Sequence, residues 1–247
     1  MGFRRFLVAL CIAAFAPLIL ADDRPNVVQT LIPWLLDESE SLKGIPFSEV
    51  IAATSGKRVL PIDREDKETQ RILAAIGQSL DEVLRTMNAP DSPARKARRV
   101  NEMSSYFENA LRETLNARPD FSCTIPKTES GRTQRSGYPD LRLVEKTTNR
   151  ILYLDPKIFA AGSKSSSLRT FYFEPKRATN KVNDDAVHLI VGIEHARDKD
   201  GTIHFTRWEL IDLANFRVKL KAEFEGSNAD LYRPEAVVGS SPSSSSK

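Results

Sequence analysis

Cysteine is almost missing from this chain: 2 in 247 residues, Cys11 and Cys123. A disulfide-stapled fold and a cysteine-built zinc site are therefore excluded. Histidine is nearly as scarce, with 3, and none belongs to a helical zinc-protease motif. There is no glycine-rich phosphate loop and no nucleophile elbow, which argues against a kinase and an α/β-hydrolase. A charge excess is missing too. Lys and Arg number 36 against 33 Asp and Glu, a net charge of +3, so any basic site must be local rather than a property of the whole molecule. With 14 Pro and 11 Gly, collagen and a long coiled coil are ruled out. No internal repeat is present.

What remains is an ordinary globular composition, 40% hydrophobic and 28% charged, long enough for one large domain or two small ones. The first residues stand apart. Met1 to Arg5 is basic, Phe6 to Leu20 is apolar, and Asp22-Asp23-Arg24 breaks the run. The apolar stretch is short for a membrane span and reads as the core of a secretory signal peptide over 1–21. Cleavage after Ala21 is expected, giving a periplasmic or secreted protein with no stable membrane association. An uncleaved anchor is the alternative. Cleavage removes Arg4 and Arg5 and no acid, leaving 34 cations against 33 anions, +1. It leaves Cys123 as a lone thiol.

Residues 22–63 form an entry region punctuated by Pro33, Pro46 and Pro61. Short helices are expected at 27–36 and 47–53, and an extended piece at 58–62. A helix over 64–87 is predicted by Ile72, Leu73, Ile76, Leu80, Val83 and Leu84, which recur at three- and four-residue spacing. Ser92 and Pro93 then mark the start of a second helix, with Val100, Met103, Phe107, Leu111, Thr114 and Leu115 on one face. Arg118-Pro119 ends it. From Phe121 the period becomes two. Strands are expected at 121–126, 141–145, 150–155, 187–195 and 203–213. An apolar run at 168–173 also has strand character. The Ser-rich end, within 235–247, has nothing to bury and is expected to be disordered. Helices first, then a mixed and mostly antiparallel sheet, describe an α+β domain over 64–234.

One arrangement carries chemistry. If Thr147-Thr148 turn a hairpin of 141–145 and 150–155, Asp140 lies opposite Asp155. Directly opposed residues share a face about 5 Å apart. Lys157 is two beyond Asp155 and points the same way. Two facing carboxylates repel unless a hard divalent cation sits between them. The spacing thus suggests a Mg²⁺ site with an ammonium beside it. Turn chemistry at Pro139-Asp140 and Asp155-Pro156 is the competing account. Pro-Asp occurs three times and acid-x-Lys three times, at 65–67, 155–157 and 174–176. Only Asp140 with Asp155 falls on adjacent expected strands. Pro156 donates no ladder hydrogen bond and is expected at a strand end or bulge.

Pro139-Asp140, a hairpin, and Asp155-Pro156-Lys157 resemble the signature of the PD-(D/E)xK nuclease superfamily, with its restriction-endonuclease-like fold. The likeness runs from about Pro93 to Leu213 by order of elements. It implies Mg²⁺-dependent hydrolysis of nucleic acid phosphodiesters, with DNA the first expectation over RNA. Asp140 and Asp155 would be metal ligands, with the Pro156 carbonyl another. Lys157 would orient the attacking water or stabilise charge on the phosphate. The superfamily often adds a Glu from the preceding helix. Of Glu102, Glu108 and Glu113, Glu108 lies nearest the edge of the apolar stripe. Export sits awkwardly with this, and a non-catalytic exported binding or structural module with the same fold is the second reading. Oligomeric state is left open.

Other signals are local. Lys164, Arg169, Lys176 and Arg177 surround Phe171, Tyr172 and Phe173 and suit a nucleic-acid backbone, although alternate aromatics in a core would look the same. Arg95, Lys96, Arg98 and Arg99 put cations at an expected helix start, against the helix dipole. His195 and His204 would face each other if Lys199-Asp200 turns a hairpin, but surface histidines are the simpler expectation.

Overall fold

The computed structural model describes residues 27–37, 42–97, 100–167, 171–221, 223 and 225–240. The expected leader lies outside them. The chain divides into two compact units, Met1–Glu40 and Ser41–Lys247. In the first, the described residues form one helix, α1 (Val27–Asp37), with Pro33 inside it.

The second unit opens with β1 (Ile45–Pro46), α2 (Phe47–Ser55) and β2 (Val59–Leu60). Two long helices follow, α3 (Lys67–Met87) and α4 (Val100–Asn116). Then come β3 (Phe121–Thr124), β4 (Leu141–Glu145), β5 (Ile151–Ala160), β6 (Ala186–Arg197), β7 (Ile203–Asp212), β8 (Arg217–Val218) and a single turn, α5 (Asn228–Leu231). The strands build a six-stranded sheet in the order β2-β6-β5-β4-β3, with β7 also beside β6. β5 and β2 run parallel to β6, and the other three pairings are antiparallel. This is the mixed, mostly antiparallel α+β sheet flanked by helices that the pattern predicts. β1 and β8 form a separate two-residue ladder.

Helix α3 starts where Asp66 accepts the Thr69 N–H at 3.0 Å, satisfying a free donor of the first turn. Its buried stripe is Ile72, Ala75, Ile76, Leu80, Val83 and Met87. Gly77 lies on the same helix because a Cβ there would stand 3.0 Å from the Trp208 ring. Met103, Phe107, Leu111 and Leu115 of α4 are also buried. Both stripes pack on one face of the sheet, against Leu141, Leu143, Leu152, Leu154 and Ile158. Tyr153 belongs to a second cluster with Phe47, Ile51, Tyr138 and Val182 on the other face. Asp155 and Lys157 share the parity of Tyr153 and so face that second side.

Three expectations are corrected. Ser92-Pro93 opens only a 3-10 turn, Pro93–Lys96, and α4 begins at Val100; cations crowded at the positive end of a helix disfavour a continuous one. Arg98 and Arg99 lie outside the described residues. Residues 171–176 form no strand: Phe171 and Phe173 instead pack edge-on against Phe47. His188 and His195 are buried rather than on the surface. The turn closes with Asp198 N–H on Thr202 O at 2.9 Å, which sets His204 opposite Ala196, not His195. His204 lies 3.4 Å from Asp198.

Candidate active site

The pairing of β4 with β5 decides where the acids fall. Leu141 pairs with Leu154 and Arg142 with Tyr153, so the next step of the register sets Asp140 against Asp155. This is the expected alignment. The turn is one residue longer at each end than expected: Glu145 N–H closes it on Arg150 O at 2.9 Å, and Asn149 takes a left-handed φ of 57°. Glu145 fixes it from inside. Its wholly buried carboxylate accepts from Thr147 N at 3.1 Å and from Thr148 N and Oγ1 at 2.7 Å, and pairs with Arg71 at 2.7 Å. Burial alone would raise its pKa, but the bonds from Thr148 and Thr147 hold it at about 2.

Asp155 is buried, and no hydrogen bond satisfies its Oδ2 atom. It meets the Lys157 ammonium in a close ion pair. The same ammonium stands 3.7 Å from Asp140 Oδ2 and 3.5 Å from the Pro156 carbonyl oxygen. Burial, then the Asp155 charge, pushes the Asp140 carboxyl up to about 8. For Lys157, burial works against the charge, but Asp155 and Asp140 outweigh it and raise the pKa. Pro156 sits in the middle of β5, not at its end. It is tolerated because the β4 ladder stops at Leu154, so β5 has only β6 beside it from there on.

Glu108, on α4, is half-buried. Burial raises its pKa; Arg135 and Lys157 oppose this and Asp155 adds to it. It therefore shares the field of the pair. Among the described residues, however, no three of His, Cys, Asp and Glu close round one point. The donors at hand are two carboxylates and a carbonyl. That set suits a hard divalent cation that keeps water and substrate oxygens in its remaining positions. The half-satisfied, buried Asp155 Oδ2 is the atom such an ion would use.

The basic residues expected around the aromatics are less concentrated. Lys164 pairs with Glu209 at 2.6 Å and Lys176 with Glu174 at 2.5 Å. Arg177 opens an exposed 3-10 turn, and Arg169 lies outside the described residues.

Two neighbours of the site carry no sequence signal. Lys181 is 0% exposed, and its pKa falls through burial despite the charges of Asp140, Asp155 and Glu108. It sits in a polar stretch without periodicity. Tyr138, which precedes a cis peptide bond to Pro139, shares a 2.7 Å hydrogen bond with His188 Nδ1. Burial holds His188 at about 4. A polar pair fifty residues apart becomes visible only once β5 and β6 are paired.

A family model described as the type II restriction enzyme MjaV family matches residues 40–235. The type II restriction enzyme MjaV of Methanocaldococcus jannaschii is 30% identical over 210 residues, covering 81% of this chain and 90% of that protein. Glu108, Asp140, Asp155, Pro156 and Lys157 all fall within the matched residues.

Proposed function

The chain belongs to the type II restriction enzyme MjaV family, and from that premise we propose that it is a DNA endonuclease of PD-(D/E)xK type that uses Mg²⁺. The observation that carries this reading is the Asp140–Asp155 alignment with the Lys157 ammonium against both. Such an arrangement is unfavourable in an idle sheet and useful in a hydrolase.

Asp140, Asp155 and the Pro156 carbonyl would hold the cation. When bound, Mg²⁺ supplies an activated water and a counter-charge for the leaving oxygen. Lys157 stays protonated at neutral pH because its pKa is raised. It therefore does not act as the base. Its role is to orient the attacking water and to meet the charge that builds on the phosphate. Hydrolysis adds one water across the phosphodiester and leaves a phosphomonoester end and a hydroxyl end. Glu108 feels the charges of Lys157 and Asp155, and its proposed role is to hold a water beside the cation. Lys164, Arg169, Lys176 and Arg177 are proposed contacts to the DNA backbone.

The basic start and apolar run of residues 1–21 support export, and they precede the matched residues. The deciding experiment is incubation of the purified protein with plasmid DNA and with RNA, in Mg²⁺ and in chelator, beside Asp155→Ala and Lys157→Ala. Metal-dependent DNA cleavage lost in both variants is the expected result. No cleavage of either nucleic acid, with no Mg²⁺ binding by calorimetry, would instead favour the non-catalytic binding module.

A further inference from the structure

The loop at 127–137, between β3 and β4, is not used by the hydrolytic chemistry. It is nevertheless well built. Lys127 and Thr133 form an isolated antiparallel bridge. Thr128 N–H donates to Arg132 O at 2.8 Å, and Gly131 N–H donates to Thr128 O at 2.8 Å. The Thr128 side chain is buried and its hydroxyl accepts from Arg132 N–H at 3.2 Å.

Its inner side is stapled down. The Lys181 ammonium donates to Gln134 O at 3.3 Å and to Arg135 O at 3.4 Å. Asn183 Nδ2 donates to Lys127 O at 2.7 Å. The Arg135 guanidinium donates to Asn109 Oδ1 of α4 at 2.5 Å, one residue from Glu108. Burying an ammonium on two carbonyls alone is unfavourable. The charges of Asp140, Asp155 and Glu108 offset this only in part, since burial still lowers the Lys181 pKa. The acids of the site thus help to hold the loop, and the loop runs on through Gly137 directly to Asp140.

Its outer side is open. Lys127, Arg132 and Arg135 are exposed. Among the described residues, the Lys127 and Arg132 side chains have no hydrogen-bond or ion-pair partner. A well-bonded loop that carries an exposed guanidinium and an exposed ammonium therefore leads along the chain into Asp140. Phosphate contacts position a protein on a duplex and base contacts specify it. A guanidinium on a fixed backbone suits bidentate contact with guanine in the major groove.

We propose that the loop at 127–137 reads base edges of the DNA, with Arg132 as the contacting side chain and Lys181 as the positioning residue that keeps the loop in register with the acids. This rests on the nuclease reading. The test uses the full chain on unmethylated phage DNA in Mg²⁺, with cut ends mapped by sequencing, for wild type, Arg132→Ala, Lys181→Met and Lys181→Arg. Wild type is expected to cut a restricted set of sequences. Arg132→Ala should lose about 10- to 100-fold at those sequences and much less elsewhere, so that preference relaxes. Lys181→Met should relax preference in the same direction, and Lys181→Arg should restore it. The loop assignment is overturned if Arg132→Ala keeps the wild-type preference, whether its rate is unchanged or falls evenly at all sequences as loss of a phosphate contact would make it. Wild-type cutting without any preference overturns it as well and leaves the nuclease reading standing. Absence of wild-type cutting in Mg²⁺ overturns both. Should Lys181→Met fail to fold by circular dichroism, the exposed Arg132→Ala variant decides the matter.

Discussion

The Lys157 ammonium lies 3.7 Å from Asp140 Oδ2, one residue ahead of the neighbouring strand β4, while holding a closer ion pair with Asp155 on its own strand. One cation thus serves two carboxylates, and the pair gives it a raised pKa. A lysine in that state offers charge and direction, not a proton vacancy. Lys157→Ala is expected to slow single-turnover cleavage at saturating Mg²⁺ by at least about 100-fold, the usual cost of deleting one charge-stabilising donor. Lys157→Arg should recover part of that loss. A Lys157→Ala rate within tenfold of wild type would remove the residue from the chemistry.

The acids are expected to fail in a different way. Asp155→Asn and Asp140→Asn keep the shape and remove a charged oxygen, so each should weaken Mg²⁺ binding as well as cleavage. Titration calorimetry with Mg²⁺ should show wild-type heat that disappears in Asp155→Asn. Chelator should stop wild-type cleavage and added Mg²⁺ should restore it. Cleavage that persists in excess chelator would break the metal assignment.

The pH dependence of stability, measured without metal, should show two opposed contributions. Asp140 has a folded pKa of about 8, above its unfolded value near 3.9. The folded state therefore binds the proton more tightly, and stability from this group is present below pH ~4 and is lost as pH rises toward 8. His188 has a folded pKa of about 4, below its unfolded value near 6.5. Its burial costs nothing above that value and destabilises as pH falls from ~6.5 to ~4. In urea melts, Asp140→Asn should gain on wild type from pH 5 to pH 8, on the order of 1–3 kcal/mol. His188→Gln should gain on wild type from pH 7 to pH 4.5. An Asp140→Asn variant that tracks wild type at every pH would contradict the first half.

Much of this frame is legible in the sequence, because it rests on period. The α3 stripe and the two-residue alternation of β4 and β5 are local signals, and they suffice to bring Asp140 opposite Asp155. The length of β5 exceeds the expected 150–155 because Pro156 reads as a strand end in the sequence. It is not one, since the partner strand, not the proline, stops there. The start of α4 failed for a local reason, four cations where the helix dipole wants anions. Lys181, Tyr138 and His188 were out of reach for a different reason. Their burial is set by loops and strands distant in sequence, and no spacing within their own segments encodes it.

Export can be settled by mass. The basic residues Arg4 and Arg5, the apolar run and the polar break at Asp22 predict a mature chain that begins at Asp22. Expression of the full sequence in a bacterial host, with fractionation and intact mass spectrometry, should find that product outside the cytoplasm. A full-length product in the cytosol would refute export, and a full-length product in the membrane fraction would select the anchor.

The register that aligns the acids depends on the turn, and the turn depends on Glu145. A slip of one residue between β4 and β5 would send Asp140 or Asp155 to the opposite face. Glu145 prevents it by gathering the Thr147 and Thr148 N–H groups and the Thr148 hydroxyl under one buried carboxylate, which Arg71 then neutralises. Glu145→Gln keeps the volume but offers one acceptor oxygen in place of two and leaves Arg71 without that partner. It should lower the melting temperature by several degrees and reduce cleavage more than a surface change of equal destabilisation. The useful comparison is Glu82→Gln, a change to an exposed residue of α3 whose loose pairing with Arg85 spans 3.8 Å, and which should leave both measurements near wild type. If Glu145→Gln melts lower but cuts at the wild-type rate well below its melting temperature, the turn stabilises the fold without setting the alignment of the two acids.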